Sequence, residues 1–366
     1  MGRRSFFFKD YVAHLVLIVC AFALAGVVFC YQMSSYALHA KQTELRTTVQ
    51  SLAEQSKLLE GTDSDVIRQI YMLSIARVAK EDELTVLITD ADGTMFTGAK
   101  ATVNTADEPC AELVQTLVEL TRAGVSVIPC TGRNRAMIME DARVLGFPGW
   151  IAEMGGVLCT KQASQPEWHY FCGRMPYEEG CGKTPHDVIW ETGVIDEMLE
   201  RWPGHLETYH DNGIGFEYRE VTVAMRGDAP EDEMQDMLDH CGLPLYLSDN
   251  GMVDHISGDS TLECDRSHPQ GIHTYHVTPA GVSKGTGIVR FVELAGLAPE
   301  EVLGAGDSPA DCVIADAVGT FLFMCNGLGH ERAEEELAAR DNILVSTKRA
   351  TDGWVAAMRG LLAAKE

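Results

Sequence analysis

Apolar and polar positions divide the chain into three regimes. The first is the run from Val12 to Tyr31, VAHLVLIVCAFALAGVVFCY, in which His14 is the one residue that gains charge near neutral pH. Twenty helical residues rise about 30 Å, the thickness of a bilayer's hydrocarbon core. Arg3, Arg4 and Lys9 precede the run, as in signal peptides and signal anchors. The run is longer than the roughly 7–15 apolar residues of a cleavable signal, although Ser35-Tyr36-Ala37 offers a cleavage pattern. The expectation is a tail over residues 1–11 and an uncleaved, single-pass membrane anchor over residues 12–31. The early cations favour a cytoplasmic N-terminus. Lys41 and Arg46 follow closely and weaken that asymmetry, so it does not choose the side that holds the rest of the chain.

The second regime, residues 32–83, repeats apolar residues at helical spacing: Leu45, Val49 and Leu52, then Val66, Ile70, Leu73 and Ala76. Gly61-Thr62-Asp63 breaks the pattern, and Asp63 or Ser64 suits a helix cap. The heptads are too few for a coiled coil, so the segment reads as a helical linker.

The third regime begins at Thr85 and alternates short β-rich runs with amphipathic stretches. Thr85–Thr89 reads as a buried parallel strand and runs into Asp90-Ala91-Asp92-Gly93-Thr94. A helix is expected from about Pro109 to Ala123 and a strand from Val125 to Cys130, ending in Thr131-Gly132-Arg133-Asn134, with another helix to about Leu145. Downstream, Lys284 stands at a helix start after Val282-Ser283. Val302–Ala305 reads as a strand ending in Gly306-Asp307-Ser308-Pro309-Ala310-Asp311. Strand and helix in alternation specify an α/β fold with a Rossmann-like parallel sheet, whose ligand site lies beyond the strands' carboxyl ends. All four polar motifs fall at such ends or at the adjoining helix start.

Between them, residues 155–280 are too long for a simple crossover. Helical stretches at about Asp187–Arg201 and Glu231–His240 alternate with strand-like runs at Leu206–His210, Val221–Arg226, Leu245–Ser248 and Ile272–Val277. The expected organisation is a core over residues 84–154 and 281–366 with a mixed α/β cap inserted at 155–280.

Charge narrows the function classes. The chain of 366 residues carries 29 basic and 54 acidic side chains, a net charge of −25, which disfavours a nucleic-acid partner. Of the eleven cysteines two lie in the apolar run and nine beyond it, an odd number without framework spacing, which suits a reducing compartment. His169, Cys172, Cys181 and His186 have a spacing that fits no zinc module, and read as ordinary thiols and histidines.

The four motifs in this order resemble the haloacid dehalogenase superfamily from about Leu84 to Val345. The resemblance implies a magnesium-dependent phosphatase that acts on a small phosphomonoester through an aspartyl-phosphate. It implies Asp90 as nucleophile and Asp92 as general acid and base. Magnesium would be held by Asp90, the Asp92 backbone carbonyl and Asp307, with Asp311 as ligand or support. Thr131, Gly132 and Lys284 would bind the transferring phosphoryl group. Ile151–Gly156 and His276–Gly285 are most similar to the branch of mannosyl-3-phosphoglycerate and sucrose-phosphate phosphatases, which also holds Cof-like sugar phosphatases and phosphomannomutase. That implies a sugar phosphate or phosphoglycerate-type substrate, with Arg133 and Glu153 as candidate contacts. Ala310 and Met154 replace the branch's usual asparagines, which bears on the substrate more than on hydrolysis. A phosphomutase of the same fold and a membrane-tethered binding protein are the competing readings.

Overall fold

The computed structural model describes residues 84–98, 100–208, 218–252, 260–263, 271–330 and 332–365. The expected anchor and helical linker lie outside them. No helix among the described residues is long and apolar enough to cross a membrane.

All four residues of β1 (Val86–Thr89) are buried, as expected of a central strand covered on both faces. β1 pairs in parallel with β2 (Ser126–Pro129) on one side and β10 (Val302–Gly306) on the other. β11 (Thr320–Phe323) and β12 (Ile343–Val345) complete the parallel order β12-β11-β10-β1-β2. The side-chain period of two sends neighbours on β1 to opposite layers. Leu87 joins the cluster formed with Leu113, Leu117 and Leu120 of α1 (Glu112–Arg122) and Trp354 and Met358 of α7 (Ala350–Lys365). Val86 and Ile88 join Ile288 and Phe291 of α6 (Lys284–Ala295) on the other side. Each such leucine or isoleucine contributes about 1.5–3 kcal/mol when fully buried.

The helices start where their caps dictate. α2 (Arg135–Leu145) begins at Asn134, whose side chain accepts the Met137 N–H at 3.0 Å, and stops at left-handed Gly146. α6 begins at a reciprocal Ser283–Thr286 capping box, which fixes Lys284 as its first residue.

One expected boundary needs correction. β3 (Trp150–Ala152) extends the core sheet through a parallel bridge between Cys130 and Ile151, and pairs antiparallel with β4 (Val157–Lys161). β5 (Glu167–Tyr170) completes that three-stranded sheet. Val157 and Cys159 enter one core cluster and Leu158 the other, so the segment after residue 155, expected in the cap, packs with the core.

The inserted unit is a separate antiparallel sheet of order β6-β7-β9-β8: β6 (Leu206–Thr208), β7 (Val223–Gly227), β8 (Leu245–Met252) and β9 (His273–Pro279). α3 (Pro185–Trp190), α4 (Val194–Arg201) and α5 (Glu231–His240) share a hydrophobic cluster with it. The single helix expected over Asp187–Arg201 is two. The Thr192 hydroxyl turns back to the Ile189 carbonyl at 2.7 Å and Gly193 takes φ +79°, so the chain turns before α4.

Candidate active site

Three strand ends and one helix start converge. Asp90 follows β1, and its N–H donates to the Ala305 carbonyl of β10 at 2.8 Å, which anchors it between the two strands. Lys284, from the start of α6, reaches under it. Its Nζ donates to Asp90 Oδ1 at 2.7 Å and to Asp311 Oδ1 at 2.6 Å, and all three side chains are buried. The second Asp311 oxygen accepts from the N–H groups of Asp307 and Ser308 and from the Ser308 hydroxyl, at 3.2, 3.0 and 2.9 Å. Asp307 is held separately: Oδ1 accepts from Thr94 Oγ1 at 2.9 Å, and Oδ2 from Asn326 Nδ2 at 2.8 Å. Gly93 takes φ +78°, and a Cβ there would collide with the Asp307 carboxylate, so this turn requires glycine twice over.

Charge is unbalanced in this group. Asp90, Asp307 and Asp311 each offer a carboxylate oxygen, all within 4.8 Å of one another, against the single Lys284 ammonium. Burial pushes the Asp90 carboxyl well above its ordinary range despite Lys284, and Asp311 and Asp307 add to the rise. Burial and Asp311 likewise push Asp307 up to about 7. Burial alone would raise Asp311 too, but Lys284 and the Ser308 hydrogen bonds outweigh it and hold Asp311 below the carboxylate range. Carboxylates crowded against one ammonium form a donor set suited to a hard divalent cation such as magnesium.

The flanking residues are engaged differently from expectation. The Arg133 Nε donates to Asp92 Oδ2 at 2.8 Å and Nη2 to Asp92 Oδ1, while Nη1 reaches Asp141 at 2.7 Å. Arg133 also lies 5.4 Å from the centre of the Phe96 ring. Its guanidinium therefore positions Asp92, which is the physical reason against the expected substrate contact. Glu153 is corrected more sharply. It is fully buried, and its carboxylate accepts the N–H groups of Glu220, Val221 and Thr222, each at 2.9 Å, plus the Thr222 hydroxyl at 3.2 Å. Glu153 clamps the chain entering β7 to the core. With φ values of +51°, +59° and +97°, Glu153, Met154 and Gly155 form a tight left-handed turn that presents it. Thr131 is buried behind Asp90's strand, with its N–H on the Ile151 carbonyl at 2.9 Å and its Oγ1 accepting the Arg133 N–H at 3.1 Å. Gly132 faces the inserted unit, and its carbonyl accepts from Arg219 Nη1 at 3.0 Å.

Asn326 escaped the sequence reading. It follows β11, donates to both the Gly93 carbonyl and Asp307, and accepts the Ala350 N–H at 2.8 Å. Its strand-end position was the available signal. The Cys181 thiol lies 3.6 Å from the Lys183 carbonyl, and the His186 ring 2.8 Å from the Thr222 carbonyl.

The chain is 28% identical over 280 residues to a phosphoglycolate phosphatase of Methanoculleus marisnigri, covering 75% of this chain and 96% of that one. A phosphoglycolate phosphatase of Natronomonas pharaonis is 25% identical, covering 62% and 84%. A solved protein of Thermoplasma acidophilum superposes with a TM-score of 0.51 at 14% identity, covering 77% of this chain and 99% of its own. A haloacid-dehalogenase-superfamily phosphatase of Bacteroides thetaiotaomicron gives 0.50 at 16% identity, covering 77% and 96%. Sucrose-phosphatase from Synechocystis gives 0.50 at 14% identity, covering 76% and 98%. No protein-family model matches the chain.

Proposed function

We propose that this chain, a phosphatase with the haloacid dehalogenase fold, is a magnesium-dependent hydrolase of a short phosphorylated hydroxy acid. The observation that carries the reading is the buried Asp90–Lys284–Asp311 chain with Asp307 beside it. A phosphate monoester resists anionic nucleophiles, so a site for it must both cancel charge and hold the reactants in line.

Asp90 attacks phosphorus and takes the phosphoryl group as an aspartyl-phosphate, while the bond to the leaving oxygen breaks. Asp92 supplies the proton to that oxygen and then takes one from the water that attacks the intermediate. To do so it turns out of its Arg133 pair, and Arg133 returns it. Lys284 offsets the charge of Asp90, and Thr131 with the Gly132 N–H lies within the same turn to meet phosphoryl oxygens. Asp90, Asp307, Asp311 and the Asp92 carbonyl would hold magnesium, which when bound neutralises phosphoryl charge.

Two things favour a short acid over a sugar phosphate. The two relatives above are named phosphoglycolate phosphatases. The inserted unit also comes close to Gly132, where Asn250 and His276 atoms lie 3.5 and 3.6 Å from the place a Cβ would occupy, beside Met154 of the core turn at 3.3 Å. The test is phosphate release from a panel of phosphomonoesters by the purified chain. The expected result is hydrolysis of phosphoglycolate with magnesium and its loss in excess chelator. Activity undiminished by chelation, or sugar isomerisation without phosphate release, would overturn the reading.

A further inference from the structure

Strands β7 to β9 have two unlike faces. Val223, Met225, Leu247, Tyr275 and Val277 join the hydrophobic cluster with α3, α4 and α5. On the other face Ala224, His276 and Ser248 lie side by side across the three strands, with Thr274 and Thr278 flanking His276 along β9. Thr274, His276 and Thr278 are nonetheless buried. Thr222 of the same unit bonds to Glu153, and Arg219 to the Gly132 carbonyl, so the polar face roofs the Thr131–Gly132 turn. The gap is small. A Cβ built on Gly132 would stand 3.5 Å from Asn250 Nδ2 and 3.6 Å from His276 Nε2.

His276 is only 2% exposed, and its Nδ1 is sealed from solvent without a hydrogen-bond partner among the described residues. The other ring nitrogen, Nε2, is the one that comes near Gly132, so that edge of the ring meets whatever lies over the turn. Burial, with the Arg219 and Lys284 charges, pushes its pKa well down, so the ring is neutral and carries one N–H to donate. Asn250 adds an exposed amide donor, and the Arg219 guanidinium adds positive charge nearby.

We propose that His276 and Asn250 form the roof-side subsite that receives the carboxylate of the substrate's leaving group. The proposal rests on the phosphatase reading above and names the part of the molecule that selects the acid. The phosphoryl group would lie on the Gly132 side, and the carboxylate, separated by one or two carbons, would take the donors above it.

The test compares phosphoglycolate with ethyl phosphate, which puts a methyl group where the carboxylate stands. Wild type is expected to show a higher kcat/KM for phosphoglycolate. His276→Ala and Asn250→Ala should each shrink that preference about 10- to 100-fold, the worth of a hydrogen bond to a charged group. His276→Gln, which keeps a donor, should retain part of it. Both substrates meet the same sample, so the ratio is independent of how much protein folds, and exposed Asn250 tests the idea without touching the interior. A preference unchanged in all three variants, or absent from the wild type, overturns the subsite. If wild type hydrolyses no phosphomonoester at all, the phosphatase reading fails first and the subsite with it.

Discussion

The floor and the roof of this site are built on opposite principles. On the floor every charged side chain is held by others: Lys284 by Asp90 and Asp311, Asp307 by Thr94 and Asn326, Asp92 by Arg133. On the roof, His276 keeps a buried nitrogen without a partner among the described residues. A saturated network is rigid and suits one reaction whose charges are always the same. The Nε2 edge of the His276 ring and the Asn250 amide, which both come near Gly132, would suit recognition of a group that differs between ligands. The floor's groups sit at strand ends and a helix start, where the backbone fixes them. The roof's lie along a sheet face, on side chains of the inserted unit.

The largest effect expected from breaking the comparison is on the floor. Asp90→Asn should lower phosphate release at least about 10⁴-fold, since an amide is a very poor nucleophile. Steady-state assays on an aryl phosphate would show it, and substantial residual turnover would move the nucleophile elsewhere.

Glu153 joins floor to roof, and its replacement separates clamp from substrate contact. Glu153→Gln puts an NH2 among backbone N–H groups that now share a carboxylate. The expected cost is about 2–4 kcal/mol, read as a lower urea midpoint. A raised KM with an unchanged midpoint would instead make Glu153 a substrate contact.

The smallest effect is the pH dependence of metal binding. Asp307 is raised to about 7 in the metal-free fold, by burial first and Asp311 second, and sits near 3.9 in an unfolded chain. Between those values the folded chain holds a proton that the unfolded chain has lost, so this group's contribution to stability falls as pH rises from about 4 to about 7. Magnesium held by Asp307 would compete with that proton. Its stabilising effect should therefore grow over the same window and level off above it, by roughly 1–2 kcal/mol between pH 5.5 and 8, visible as a shift in melting temperature. A magnesium effect independent of pH would place the cation away from Asp307.

The floor was legible in the sequence because each of its groups belongs to a contiguous motif at a strand end or helix start, and local turn chemistry dictates both. Gly93 and the Ser283–Thr286 box belong to that local class. The partners of Glu153 and of the Gly132 carbonyl were not legible, since they depend on where the chain around residues 219–222 returns to the core. Asn326 was missed because one asparagine after a strand has no motif around it. The start of the cap was misplaced because Val157, Leu158 and Cys159 carry the same apolar pattern in a core flap as in a cap strand. In the sequence His276 is one residue of the His276–Gly285 phrase, with nothing around it that marks a site. Its approach to Gly132 exists only once the sheet face is folded over that turn.

The most direct test of the account is to locate the phosphoryl group. In Asp92→Asn protein the proton donor and the base for the second step are gone, at a cost of about 10²–10⁴-fold in turnover, while Asp90 remains. The measurement is intact mass and peptide mapping after brief exposure to acetyl phosphate with magnesium. The account predicts one added phosphoryl group on Asp90, and none in Asp90→Asn protein treated alike. A phosphoryl group mapped to any other residue, or one that appears equally in the Asp90 variant, would contradict it.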